Sequence, residues 1–229
     1  MHVAEKADIA PLVREIPEKA KKLFDRFFPG PLTVILPKSD KIGKVVSGGL
    51  DTVAVRMPEN PVAHRLLQLA GVPVAAPSAN TSGLPSPTRA KYVQEDMNGK
   101  IAAIVDGGDC AYGVESTVIT LATSTPTLLR PGAVTKEMLE AEIGPIAVAP
   151  AVLEKMADGE TAASPGMKYK HYAPKAQVIL VNGDSAAYAA FVNSQPGCYA
   201  LCYEEDRVTG AQGALRQGHR RPKPGTRTV

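Results

Sequence analysis

Apolar residues recur at Ala20, Leu23, Phe24, Phe27 and Phe28, spacings that gather them on one face of a helix running from Pro17 to Phe28. Pro17 suits the first helical position, where a missing N–H costs nothing, and Pro29-Gly30-Pro31 stops the helix. The run LTVIL, Leu32 to Leu36, predicts a short buried strand, and Thr52 to Met57, bracketed by Gly48-Gly49 and Pro58, predicts another. Asn60 and Pro61 predict a capped helix through Leu67 and Leu69 that ends at Gly71. A third strand over Val72 to Ala76 follows, then a helix from Thr88 to Met97 and strands at 101–106, 116–121 and 126–130. A helix from Thr135 to Glu142 closes the series, which is that of a mixed α/β domain.

The pattern then fades. Residues 146–163 are rich in Ala and carry Pro150, Asp158 and Gly159 with no amphipathic period, so they predict an interdomain linker. Ser164 to Pro174, SPGMKYKHYAP, is polar and aromatic, and QVILVNG, SAAYAAFVNS and CYALCYE then predict strand, helix, strand. A domain over 1–145, a linker over 146–174 and the start of a second α/β domain over 175–206 are therefore expected. Residues 207–229 lack periodicity and predict a disordered basic tail.

Composition sharpens this outline. Aromatics are only 5% with no Trp, so the core must rest on Val, Ile, Leu and Ala. Three cysteines, Cys110, Cys198 and Cys202, form no CxxC pair, which fits a reducing cytoplasm. No window approaches eighteen uninterrupted apolar residues and the first residues lack a signal-peptide pattern, so a soluble, unexported protein is expected. Six of the basic residues, Arg207, Arg216, Arg220, Arg221, Lys223 and Arg227, follow Asp206 without an acid, and without them the formal charge falls from +3 to −3. Basicity therefore belongs to the tail and gives no ground for nucleic-acid binding by residues 1–206.

Hydroxyls and isolated arginines stand at the ends of apolar segments. Thr52 and Arg56 share a strand face by alternation. Ser78 and Ser86 lie in the Pro77 to Thr88 loop, where open α/β sheets place ligands, Ser116 opens one strand and Arg130 closes another. Arg forks neutralise carboxylate or phosphate, and Ser or Thr donates without adding charge, so the set suits an anionic ligand. Taken alone, a strand-end Arg is more often a surface ion-pair partner and a loop Ser more often a turn former. His171 in KYKHY reads either as part of a site or as a structural latch. No GxGxxG, Walker A, GxSxG or metal-ligand spacing occurs. No catalytic residue and no metal ligand are singled out.

Taken together, FPGPLTVILPKS, GLDTVAVRMP, GVPVAAPSANTSGLPSPT, DGGDCAYGVESTVI, LLRPGAV and SPGMKYKHYAP resemble, in order and spacing, the YrdC-type threonylcarbamoyl-AMP synthase family in its longer, two-domain form. The resemblance implies a YrdC-type twisted mixed sheet flanked by helices, then a linker and an incomplete Rossmann-like unit. It implies a nucleotidyltransferase, L-threonylcarbamoyladenylate synthase, joining L-threonine, bicarbonate and ATP into threonylcarbamoyl-AMP and pyrophosphate. Thr52, Ser78, Ser86, Arg130 and Tyr172 would contact the nucleotide; His2, Arg56, Ala76 and Ser116 would shape the threonine pocket. Lys170 and His171 would join Tyr172 in closing over the nucleotide. Mg2+ would arrive with ATP, and separate machinery would transfer the threonylcarbamoyl group to tRNA.

The resemblance also implies an incomplete chain. The family's PTxTxYGL-like strand and Lys-x-Arg motif, expected before His2, do not occur, and residues 207–229 match nothing in its second domain. Two other readings stand beside it: a double-stranded RNA-binding module without catalysis, and a carbamoyl-adenylate enzyme with another acceptor.

Overall fold

A computed structural model of the chain describes residues 1–81, 84–153 and 177–216. The chain divides into a unit from Met1 to Ala173 and another from Pro174 to Val229.

The first unit is built on five strands: β1 (Leu32–Pro37), β2 (Thr52–Val55), β3 (Thr117–Thr120), β4 (Thr127–Arg130) and β5 (Ala147–Val148). Their order is β2-β1-β3-β4-β5, with β1/β2 and β3/β4 antiparallel and β1/β3 and β4/β5 parallel. Alternation sorts the side chains cleanly. Leu32, Val34 and Leu36 of β1, Val53 and Val55 of β2, Ile119 of β3 and Leu128 of β4 join the main core with Leu23, Phe24 and Phe27 of α1 (Glu18–Phe27). Leu139 and Ile143 of α4 (Lys136–Ile143) complete that layer. Ile35, Val118, Leu129 and Ala149 form a smaller cluster, with Ala54 packed on it. The site described below lies on this second face of the sheet.

Several expected elements are present with trimmed ends. Pro17 is the N-cap of α1 and not its first helical residue. α2 (Pro61–Ala70) begins at Asn60, as its sequence predicts, and α3 (Ala90–Met97) starts two residues later than Thr88. Asn60 does two jobs at once. Its side-chain oxygen accepts the N–H groups of Val62 and Ala63, both at 3.0 Å, while its Nδ2 donates to the Gly107 carbonyl at 2.9 Å. Asn60→Ala should therefore lower the urea midpoint by an amount equivalent to about 1–2 kcal/mol, and Asn60→Ser, which keeps the cap and loses the Gly107 bond, should recover about half.

Four expectations need correction. Val72 to Ala76 forms no ladder; Val74 alone pairs, antiparallel, with His2. Residues 101–106 likewise form no strand. Both runs have the apolar content of strands, but a strand exists through pairing, and among the described residues neither has a continuous partner. Their side chains stay open to solvent, Val72 at 61% and Val105 at 65%. Third, the expected linker is not irregular at its start: β5 pairs with β4, and α5 (Pro150–Leu153) follows. Ala149, between them, sits in the second-face cluster, so small apolar residues there serve packing.

The fourth correction is in the second unit. α6 (Ser185–Asn193) and β6 (Tyr199–Cys202) lie where the sequence predicts them, whereas 177–180 is not a strand. β7 (Gly213–Arg216) forms inside the expected basic tail and pairs parallel with β6. Ala200 and Cys202 pack with Val192 and Val208, and Asp206, 1% exposed, accepts bonds from Ser185 Oγ at 2.6 Å and the Tyr203 N–H at 2.9 Å. That carboxylate fixes the turn that returns the chain toward β7.

Candidate functional site

One end of the second sheet face gathers the cationic and hydroxyl side chains. Arg56 follows β2 by one residue and lies on the side of Thr52 and Ala54. Its Nε donates to the Gly30 carbonyl at 3.2 Å. Gly30 is obligatory there, because a Cβ would stand 2.5 Å from the Phe27 carbonyl oxygen. The turn that ends α1 thus holds the arginine's acceptor in place.

Arg130 reaches the same face by a less obvious route. Ile119 pairs with Leu128, but Val118 pairs with Arg130, so Leu129 is an extra residue in β4, a β-bulge. In a regular strand of these same residues, alternation would put Arg130 on the side of Leu128, in the main core. With it, Arg130 shares the side of Val118 and Ser116. Its Nε donates to the Ser116 carbonyl at 3.0 Å and its Nη2 to Ser116 Oγ at 3.1 Å. Ser116 is only 7% exposed.

The turn after Arg130 is clamped to β3. Thr117 Oγ1 donates to the Val134 carbonyl at 2.7 Å and accepts the Val134 N–H at 3.1 Å. Gly132 passes so close that a Cβ would lie 2.6 Å from both the Glu115 carbonyl oxygen and the Thr117 nitrogen.

His2 joins through the backbone. Its N–H donates to Val74 at 2.7 Å and its carbonyl accepts from Val74 at 2.9 Å, while Val3 donates to the Arg56 carbonyl at 3.0 Å. Burial, then the positive amino terminus and Arg56, lower the His2 pKa to about 4, so the imidazole is neutral near pH 7. Burial, then the charge of Arg130, also pushes the Arg56 pKa down, with Glu59 and Cys110 acting in the opposite sense. Two half-buried guanidinium groups that repel each other are a strong invitation to an anion.

The structure therefore brings His2, Arg56, Ser116 and Arg130 together. Thr52 shares their sheet face but lies four residues away along β2, roughly 13 Å by strand rise. Ala76 and Ser78 are exposed and Ser86 half-buried on the loop beyond Val74. Among the described residues no hydrogen bond ties these three to the cluster. The loop is anchored nearby: the Cys110 N–H donates to the Thr88 carbonyl at 2.9 Å, and Arg89 Nε meets Asp109 at 3.0 Å. Tyr172, Lys170 and His171 lie outside the described residues. Thr33, which the sequence reading passed over, makes a 2.8 Å hydroxyl contact with Ser116. Its only sequence signal is a polar residue inside the apolar run LTVIL.

A mixed α/β sheet with two neighbouring arginines and a buried hydroxyl at one end places the chain among α/β proteins whose sheet end is chemically suited to a small anion. Comparison with known proteins makes the class specific. Residues 1–132 match the Sua5, YciO and YrdC family, described under telomere recombination, and residues 134–223 match the threonylcarbamoyl-AMP synthase C-terminal domain. The chain belongs to this family, in its form with that C-terminal domain. The second match runs to residue 223, so it takes in most of the stretch that the sequence reading left without a counterpart.

The threonylcarbamoyl-AMP synthase of Pyrococcus abyssi is 54% identical over 183 residues, 80% of this chain and 53% of the relative. That of Bacillus subtilis is 50% identical over 184 residues, 80% of this chain and 52% of its own. This chain thus spans about half the length of the curated relatives it matches. Among solved structures, P. abyssi Sua5 complexed with L-threonine superposes with a TM-score of 0.81 at 45% identity, covering 93% of this chain and 64% of that one. Escherichia coli YciO, at 21% identity and a TM-score of 0.51, shares the fold.

Proposed function

We propose that this chain carries the synthase site of an L-threonylcarbamoyladenylate synthase, which forms threonylcarbamoyl-AMP and pyrophosphate from L-threonine, bicarbonate and ATP for tRNA modification. The observation that carries the reading is the Arg56 and Arg130 pair, close enough for one charge to perturb the other, with Ser116 held by Arg130. The relatives named for this synthase, and the neighbour complexed with L-threonine, support it.

In this reading His2, Arg56, Ala76 and Ser116 surround the amino acid, and Thr52, Ser78, Ser86, Arg130 and Tyr172 hold the nucleotide. The threonine amine attacks bicarbonate and water leaves, giving a carbamate. A carbamate oxygen then bonds to the α-phosphorus as the α–β bridging bond breaks and pyrophosphate departs. Every reactant is anionic or becomes so, which is why arginines and hydroxyls suffice: they orient the reactants and offset charge. A neutral His2 adds no further positive charge.

No group of three or more His, Cys, Asp or Glu side chains able to hold a metal is gathered among the described residues. In this reading magnesium enters as part of the ATP substrate, carried on its phosphates. Residues 1–145 act as the catalytic domain, 146–174 as the linker between domains and 175–206 as the start of the second domain. No helix among the described residues is long and apolar enough to cross a membrane; work in the cytoplasm is part of the proposed reading. A separate tRNA-modifying machinery takes up the product. Direct contact with RNA has no feature of its own in the described residues.

Isothermal calorimetry of the full chain with L-threonine and with MgATP tests the reading. Saturable binding of both, with each ligand tightening the other, is expected. A chain that takes up neither would end the proposal.

A further inference from the structure

Thr33 stands at the middle of the cluster without belonging to the residues assigned above. It projects from the face of β1 opposite Leu32 and Val34, and continuing the β1–β2 register by one residue sets it across from Arg56. On its other side β3 runs parallel, and Thr33 Oγ1 lies 2.8 Å from Ser116 Oγ.

We infer that Thr33 is a positioning residue that turns the Ser116 hydroxyl into a donor for the carboxylate of the bound amino acid, an inference that rests on the reading of Ser116 as part of the threonine pocket. A hydroxyl has one proton and two lone pairs. Arg130 can only donate, so its Nη2 occupies one lone pair of Ser116 Oγ. When Thr33 donates, the second lone pair is filled as well, and the Ser116 proton is free to point at a ligand. In the opposite sense, Ser116 spends its only proton on Thr33 and turns a lone pair toward the incoming carboxylate, which repels it. An anion drawn in by Arg56 and Arg130 therefore selects the first sense. Thr33 acts on the ligand only through Ser116.

Thr33→Val keeps the β-branched shape suited to a strand and removes only the hydroxyl. In calorimetry of the full chain it should weaken L-threonine binding about tenfold and leave MgATP binding within about twofold, the scale of one lost hydrogen bond that serves a charged group. Thr33→Ser should restore L-threonine binding. The preference for L-threonine over L-threoninamide, which lacks the carboxylate, should shrink in the valine variant, and adding Ser116→Ala to it should cost little more.

Retained L-threonine affinity in Thr33→Val alongside a loss in Ser116→Ala would overturn the inference and leave the pocket assignment standing. A serine variant as weak as the valine variant would also overturn it, since shape and not the hydroxyl would then matter. No L-threonine binding by the unsubstituted chain would remove both. Should valine disturb folding, Thr33→Ala reports on the same hydroxyl, with the melting curve as its control.

Discussion

Arg56→Ala should weaken L-threonine binding on the order of 100-fold, about 2.8 kcal/mol, while leaving the fold nearly as stable as before. The two halves of that expectation have different physical origins. Among the described residues, the side chain donates one hydrogen bond, to the Gly30 carbonyl, and endures repulsion from Arg130 that Glu59 offsets in part. Removing it gives up a modest hydrogen bond and relieves a like-charge contact, so the net change in folding free energy should stay within ~1 kcal/mol. Toward a ligand the balance reverses, because a half-buried guanidinium facing a carboxylate makes charge-assisted bonds at low local dielectric. Calorimetry reads the affinity and urea unfolding reads the stability. An alanine variant that binds L-threonine as well as the parent would show that the amino acid sits elsewhere.

The second large effect concerns a residue without a side chain. Gly132→Ala places a methyl group 2.6 Å from the Glu115 carbonyl oxygen and the Thr117 nitrogen, and 2.8 Å from Thr117 Oγ1. The nearest atoms are backbone of the edge that carries Ser116, so no flexible side chain can move aside. Either the turn after Arg130 lifts away, breaking the two bonds between Thr117 Oγ1 and Val134, or the end of β3 shifts. A loss of about 2–3 kcal/mol in urea unfolding is expected. Because both responses move Arg130 relative to Ser116, MgATP affinity should fall as well. Unchanged stability in the variant would mean that the turn does not press on β3 as described.

Much of this was legible from residues 1–145 in the sequence. The helix at Glu18–Phe27, the strands through Val34, Val55, Ile119 and Leu128 and the capped helix after Asn60 follow from periodicity and caps, since each is specified by its own residues. What failed depends on partners. Val72 to Ala76 carries strand composition, but whether it pairs is decided by other segments, and among the described residues only His2 pairs with it. Ala147–Val148 is too short to announce a strand, and its pairing comes from β4.

The site shows the same division. Arg56 was legible because alternation from Thr52 holds along a regular strand. Arg130 was singled out from its place at a strand end, yet its side of the sheet depends on the strand being bulged at Leu129, which no hydrophobic pattern reveals. Thr33 was missed because one hydroxyl in an apolar run looks like an ordinary β-branched strand residue, and its meaning depends on Ser116, far away in the chain.

Leu129 makes the odd or even count of residues in β4 matter for chemistry. Insertions of any length between Leu121 and Thr125, in the connection between β3 and β4, would leave the arginine on its present side. Deletion of Leu129 would straighten the ladder and leave the arginine across from Val118, whereas one more residue between Leu128 and Arg130, with the bulge kept to a single extra residue, would turn the guanidinium toward the main core. Tolerance of gain and loss of residues in this hairpin should thus be uneven, generous in the connection and, within the strand, kinder to loss of Leu129 than to a gain beside it.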